Sequence, residues 1–455
     1  MKLKRSLFLP FILIFSFFVG KRTNGSISQS LNESEAYIIE EFSPNLTIHE
    51  GLVSQEEQTI WINRSGRKVG YIKLSKPIVV AQAERDEPWG FFQFPNLSKT
   101  EMGGLVVSWH MKEDTYESYG KGSQREYRPM ISGDEGRTWA PLDYSCYLIN
   151  DGYDCHLFDS STLRVITPPA KDIKTYEVFP KEVFRKGIYS FYHIEDVPPE
   201  LQGVYLYSID KKHTFNTIHA SLEDPGLLRY TINDKMPIVW WGNIRQLADS
   251  TLVAGVYPCK YIETSGNDVN SGVSFYSSKD RGKSWEIHGR IPFRADGIAD
   301  RRGDGSYDEP TFEVLKDESF ICVMRTGSTS PMYKSFSYDK GITWTQPVPF
   351  TANGVLPWLK LLRNGILVLS SGRPGVQIRF SLDGTGKLWT TPVDMLPFMN
   401  SNGSYTRDVS CGYTSIMEAG DNSFYLVYSD FNSLDINGLI RKAIMFRKIE
   451  VGLIN

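Results

Sequence analysis

Ser278, Asp280, Gly282, Ser284 and Trp285 form a signature that recurs along the chain. Ser132, Asp134, Gly136, Thr138 and Trp139 repeat it, as do Ser337, Asp339, Gly341, Thr343 and Trp344. A fourth copy, Ser381, Asp383, Gly386 and Trp389, carries one extra residue before its glycine. Each position has a mechanical reason: Asp and Ser bond their own backbone in a tight turn, Gly takes the positive φ, and Trp leads back into a strand. The signature therefore marks a hairpin, and its recurrence demands a repeated all-β architecture.

A second repeat pairs a strand with a more hydrophobic strand across a polar turn. Phe92–Leu97 leads to Leu105–Trp109, Asn243–Leu247 to Thr251–Ala254, Glu309–Leu315 to Phe320–Met324, Leu356–Leu362 to Ile366–Leu369, and Gly412–Met417 to Phe424–Tyr428. These five pairs read as the two inner strands of five units. The gap between the first two pairs is much longer than the others, with candidate irregular units near Cys146 and Tyr189. That spacing gives seven units, or six if Cys146 to Arg185 is an insertion. Strand-like alternation near Ala36 to Val80 is expected to close the ring by pairing with the last unit. No helix-period segment argues against one all-β domain over residues 36–455.

The amino terminus has the layout of a secretory signal: Lys2, Lys4 and Arg5 precede an apolar run from Leu7 to Val19, short for a membrane span. Residues 1–25 read as that signal, or as an uncleaved anchor, and 26–35 as a polar spacer. The protein is expected to be secreted or periplasmic, with membrane anchoring as the alternative. Five cysteines without metal-ligand spacing read as mostly buried thiols, Cys146 and Cys155 being the one pair close in sequence. A net charge of −3 gives no general attraction to nucleic acid.

The hairpin signature resembles the Asp box of the sialidase superfamily, where it joins the outer strands of propeller blades on the rim. This resemblance implies a single β-propeller of seven blades, with six as the alternative. In such a fold the inner strands converge on an axial cavity, which makes Gln93, Arg245, Glu309, Trp358 and Tyr413 axial candidates by position. Arg245 and Glu309 are costly to bury unpaired, so each belongs either to an ion pair or to a ligand site. Arg325, Arg373 and Arg379 lie at or beyond second-strand ends, and several arginines in one cavity would clamp a carboxylate or sulfate.

The resemblance also implies site roles. Glu309 and Arg325, in Asp308-Glu-Pro and Met-Arg-Thr, match the family's glutamate and one arginine. Arg373 or Arg379 would supply another, Tyr413 the nucleophile and Asp114 the acid/base. Where the family has an arginine in Arg-Ile-Pro, this chain reads Gln93-Phe94-Pro95, and glutamine supplies no positive fork. A second chemistry is suggested by His110, followed by Tyr116 and Tyr119 and joined by Tyr230 and Arg245. Arginine would neutralise a uronate carboxylate, one of His or Tyr would remove the C5 proton, and the other would protonate the leaving oxygen. This logic is similar to that of propeller-type ulvan lyases, with His156 and His193 as spare candidates.

The primary expectation is thus an enzyme that cleaves an acidic, uronate-containing saccharide by β-elimination. Catalytic roles fall to His110, Tyr230 and Arg245, and substrate binding to Glu309, Arg325, Arg373, Arg379 and Tyr413. A sialidase-type glycosidase and a non-catalytic glycan-binding propeller are the alternatives. No cofactor and no partner protein are implied. The sequence shows no phosphate loop, His-Glu-x-x-His or Gly-x-Ser-x-Gly motif. Asp304 to Asp308 could hold a structural calcium ion, with a plain polar loop as the preferred reading.

Overall fold

The computed structural model describes residues 46–48 and 56–454, except 116–117, 119–121, 151–153, 240–241, 258–259, 263–268, 295, 297–304, 328–329, 374 and 397–408. The expected signal and spacer, Tyr116, Tyr119, Cys259 and Asp304 lie outside the described residues. The rest is a β-propeller built almost wholly of strands; the four-residue Pro199–Gln202 is a rare helical turn.

Strand pairing groups the chain into antiparallel meanders. The first unit comprises Phe91–Thr100, Leu105–Met111, Met130–Ser132 and Ala140–Pro141, and the second Asp154–His156, Thr162–Ile166, Val204–Ile209 and Phe215–Glu223. The third is Ile244–Gln246, Leu252–Val256, Val273–Ser278 and Ser284–Ile291. The fourth is Asp308–Val314, Phe320–Arg325, Tyr333–Ser337 and Val348–Pro349, and the fifth Val355–Leu361, Leu367–Gly372, Val376–Ser381 and Val393–Asp394. The sixth combines Thr414–Gly420, Ser423–Leu434 and Ile440–Leu453 with strands from the amino-terminal part. Ile78–Gln82 pairs one half of Ile440–Leu453, through Phe446↔Ile78, and Arg67–Leu74 pairs the other, through Leu453↔Gly70.

Neighbouring units are joined at their inner strands. Leu97 N–H donates to Ser415 Oγ, Asn150 Nδ2 to Asn96 Oδ1, and Phe158 N–H to Gln246 Oε1. Asn243 Nδ2 donates to the Phe312 carbonyl, Leu359 N–H to Thr311 Oγ1, and Ser370 Oγ shares a 2.8 Å hydrogen bond with Thr414. Among the described residues, these contacts link six meanders in succession and lead from the last back to the first. The long interval after the first unit, expected to hold two irregular units, holds one meander and a further sheet. That sheet joins Lys171–Asp172, Phe184–Lys186, Tyr189–His193, Leu227–Ile232 and Lys235–Met236 with Lys260–Ile262 and Val269–Asn270. It is assembled from segments inserted within and between the second and third units.

The four signature turns are built alike. In the third unit Ser278 Oγ donates to Asp280 Oδ1 and accepts from Gly282 N–H at 2.9 Å. Asp280 also accepts from Ser284 N–H and Oγ, and Trp285 Nε1 donates to the Gly282 carbonyl at 3.1 Å. The turn covers the preceding unit: Trp139 meets Phe446, Trp344 stacks on Phe275 at 4.3 Å, and Trp389 meets Phe350. This explains the glycine, since a Cβ at Gly136 would lie 2.1 Å from the Phe446 ring. A fifth turn of this kind, Ser208, Asp210, Thr214 and Phe215, closes the second unit. Lys212 replaces the glycine there, and Asp210 Oδ1 still accepts from Lys212 and Thr214 N–H.

Trp285, 1% exposed, fastens the third unit to the second. Trp285→Ala is expected to cost about 3–5 kcal/mol. Phe215→Ala, whose ring is 46% exposed, should cost about 1 kcal/mol or less. Urea midpoints at unchanged m-value check the contrast.

Candidate active site

The axial end of the sheet is shaped by a repeated bulge. Phe94, Glu309 and Leu356 have φ of +49°, +47° and +38°, each immediately before a proline: Pro95, Pro310 and Pro357. Strand register breaks at the same places, between Gln93 and Asn96, Asp308 and Thr311, and Val355 and Trp358. Proline brings no N–H to the ladder and so suits a bulge, and a bulge re-aims the side chain at its apex. Gly412, with φ of +80°, makes the comparable entry before Tyr413 in the sixth unit. Residues with positive φ and a Cβ are uncommon, and the three bulges carry one at the same strand position.

Glu309 is the centre of the cluster. Its Oε1 accepts from Arg325 Nη1 at 2.8 Å and from the Tyr413 hydroxyl, and its Oε2 accepts from Leu356 N–H at 2.9 Å. Burial pulls the Arg325 guanidinium down, but Glu309, Tyr413, Asp308 and Tyr257 together outweigh it and hold it above its ordinary value. Burial pushes the Tyr413 hydroxyl well up, and the Glu309 charge adds to the effect. Tyr413 is thus a protonated phenol whose proton already points at a carboxylate. Asp308, buried behind Glu309, is also raised by burial, opposed by Lys260 and Arg325.

The surrounding side chains complete a wall. The Phe94 ring lies between His110, at 5.3 Å, and Tyr413, at 4.7 Å. Arg373, with φ of +51°, donates from Nε to the Cys411 carbonyl at 3.0 Å and sits over the Tyr413 and Trp89 rings. Trp89 Nε1 in turn donates to Asp114 Oδ2 at 3.1 Å. Burial raises the Asp114 carboxyl, although Trp89 and Arg373 pull it back and Glu309 pushes it further up. His110 is pushed down to about 4 by burial and by Lys112. Its Nδ1 lies 3.1 Å from the Gly90 carbonyl, which can only accept, so Nδ1 carries the proton and Nε2 is the acceptor.

The contacts therefore bring Glu309, Arg325, Arg373 and Tyr413 together, with His110 reached through Phe94 and Asp114 through Trp89. The other three candidates stand in different surroundings. Arg245 is engaged bidentately by Glu313 at 2.9 and 3.1 Å, the ion-pair alternative weighed for it. Tyr230 lies in the further sheet, paired with Phe191 and 6.3 Å from the Phe191 and Tyr189 rings. Arg379 is buried in the third strand of the fifth unit, donating to Gln377 Oε1, and burial brings it down to about 10 despite Asp394. A clamp of three arginines is not what these contacts form. Gln93 is fully buried, and His156 is bonded to Thr162. Cys146, Cys155, Cys322 and Cys411 are free thiols. Asp308, from the proposed calcium loop, accepts from Ser306 Oγ at 2.8 Å.

Trp89 escaped the sequence reading, because a lone tryptophan between turns carries no pattern. The bulge was legible in principle: a proline stands one residue beyond Phe94, Glu309 and Leu356.

No protein-family model matches the chain, and no curated protein sequence matches it. Among solved structures it is similar to a protein of unknown function from Dyadobacter fermentans, at 17% identity over 84% of this chain and 99% of that one, with a TM-score of 0.54. It is also similar to an α-L-arabinanase from Penicillium chrysogenum complexed with arabinobiose, at 14% identity over 82% and 98% of the two chains and a TM-score of 0.44. The NanB sialidase of Streptococcus pneumoniae matches at 13% identity, over 82% and 70%, with a TM-score of 0.39. The first similarity supports the fold; at these identities the site speaks for itself.

The Glu309–Arg325 pair is 10% and 11% exposed at its side chains. Arg325→Met leaves a buried carboxylate without its cation and is expected to cost about 3–5 kcal/mol. Adding Glu309→Gln should recover most of that loss, as read from thermal unfolding of the two single variants and the double.

Proposed function

We propose that the protein is a glycoside hydrolase that cleaves with retention through Tyr413, Glu309 and Asp114. The observation that carries this reading is the Tyr413 hydroxyl bonded to a Glu309 carboxylate that Arg325 also holds. A phenol is a weak nucleophile until a base takes its proton, and a base within hydrogen-bond reach is the arrangement required. As Tyr413 Oη bonds to the anomeric carbon, its proton passes to Glu309 and no full phenolate charge is buried. Asp114, whose carboxyl burial raises, gives its proton to the departing oxygen. Asp114 then takes a proton from water, whose oxygen displaces Tyr413, and Glu309 returns its proton to the phenol. This is the two-step logic of retaining glycosidases, with tyrosine as nucleophile.

The substrate proposed is an extracellular glycan with at most one carboxylate on the ring that is cleaved. Arg373 is the cation placed to meet it, since Arg325 is held by Glu309 and Arg379 lies within a blade. Export rests on the basic amino terminus and the apolar run from Leu7 to Val19.

A second reading, β-elimination from a uronate, is favoured by His110, whose neutral ring leaves Nε2 as a proton acceptor. In that reading Arg373 would neutralise the carboxylate, and Tyr413 would protonate the leaving oxygen in place of Tyr230.

Product analysis on a panel of acidic and neutral glycans separates the two, because hydrolysis yields a saturated reducing sugar and elimination an unsaturated uronate. Under the hydrolase reading Tyr413→Phe abolishes turnover, whereas His110→Gln retains it. Asp114→Asn should lower kcat/KM on natural linkages by about 10²–10⁴-fold and spare substrates with activated leaving groups. Because burial raises Asp114, activity should persist to a higher pH than an ordinary carboxylic acid allows and fall as Asp114 ionises. The alkaline limb should vanish in Asp114→Asn. Full activity of Tyr413→Phe would overturn the proposal.

A further inference from the structure

We infer that Trp89 forms the subsite for the leaving group, and that this group is itself a sugar ring. The inference rests on the hydrolase reading, in which Asp114 protonates the departing oxygen, so that whatever flanks Asp114 flanks the leaving group.

Trp89 is 38% exposed, yet it is held from several directions. Its Nε1 donates to Asp114 Oδ2, Arg373 lies 5.5 Å from the ring centre, and the Phe431 ring meets it edge-on at 6.3 Å and 87°. The backbone on either side is pinned as well. Lys442 Nζ donates to the Pro88 carbonyl at 2.8 Å and approaches the Phe91 carbonyl at 3.5 Å, and the Gly90 carbonyl accepts from His110 Nδ1. Gly90 has φ of +94°, and a Cβ there would lie 2.3 Å from the Lys112 carbonyl oxygen and 2.7 Å from Asp114 N. The turn carrying Trp89 and the loop carrying Asp114 are therefore packed backbone to backbone as one body.

An aromatic ring left in water usually needs no explanation. An indole that is open to solvent, locked by its own N–H and tied to the proton donor is different: it offers a flat apolar face with almost no rotamer freedom left to lose. The apolar C–H face of a pyranose or furanose ring suits such a platform, and the indole N–H keeps the acid aligned with the oxygen that joins the two sugars. The reaction so read takes glycosidic linkages between sugars, and substrates with small leaving groups gain nothing from the platform.

The test compares two substrates of the full-length protein that share the cleaved sugar: the oligosaccharide identified by the glycan panel, and the corresponding glycosyl fluoride, whose leaving group has no ring. Trp89→Ala should raise KM for the oligosaccharide about tenfold, as loss of a good aromatic contact implies, and leave KM for the fluoride within about twofold. Trp89→Phe keeps a ring but removes the N–H from Asp114. It should retain most of the affinity for the oligosaccharide while moving the alkaline limb of kcat/KM to higher pH, because the indole bond lowers the Asp114 pKa. Equal losses on both substrates in Trp89→Ala, or an oligosaccharide KM as impaired in Trp89→Phe as in Trp89→Ala, would overturn the inference. If Tyr413→Phe or Asp114→Asn kept full activity, the hydrolase reading would fail instead, which these variants report separately.

Discussion

A single carboxylate ties three consecutive blades together at their axial end. Glu309 belongs to the fourth, takes the backbone N–H of Leu356 from the fifth, and takes the hydroxyl of Tyr413 from the sixth. Its charge is balanced from within its own blade by Arg325. A buried carboxylate is tolerable only when its acceptor sites are filled, so the partners of Glu309 fix where the next two blades begin. The geometry that would make Tyr413 a nucleophile is therefore the same geometry that aligns the blades. Chemistry and architecture share one set of hydrogen bonds.

The bulges show how the fold delivers these groups. An ordinary strand would alternate Asp308 and Glu309 between opposite faces of the blade. With φ of +47° at Glu309 and a proline after it, the strand turns and the carboxylate is redirected without disturbing the ladder beyond Thr311. The same device places Phe94 against Tyr413 and brings Leu356 N–H to Glu309. Phe94, Glu309 and Leu356 are each held by a residue of an adjoining or nearby blade, so the packing of blade against blade sustains the strain.

Much of the architecture could be read from residues because its causes are local. A Ser-Asp-Gly-Trp turn satisfies its own hydrogen bonds, so four copies were visible in sequence. The fifth, at Asp210, was hidden because His213, with φ of +59°, takes the left-handed conformation and Lys212 stands where the others have glycine. Inner strands were legible through paired hydrophobic runs. The sheet containing Tyr230 was not, since its strands come from three separated insertions and pair only in three dimensions. At the site, residue type and strand position singled out Glu309, Arg325, Arg373 and Tyr413. They could not tell Arg245 from these, because Glu313, its partner, lies on another blade with no sequence signal linking the two.

The strand Ile440–Leu453 is flanked on one side by Ser423–Leu434 and on the other by Arg67–Leu74 and Ile78–Gln82. Translation makes these partners at opposite ends of the process. The amino-terminal strands leave the ribosome first, with their edges unsatisfied, and wait through the synthesis of every other blade. Until Ile440–Leu453 arrives, Ile62, Ile72 and Leu74 lack the neighbours that bury them. A chain built this way favours slow, guarded folding over rapid independent folding.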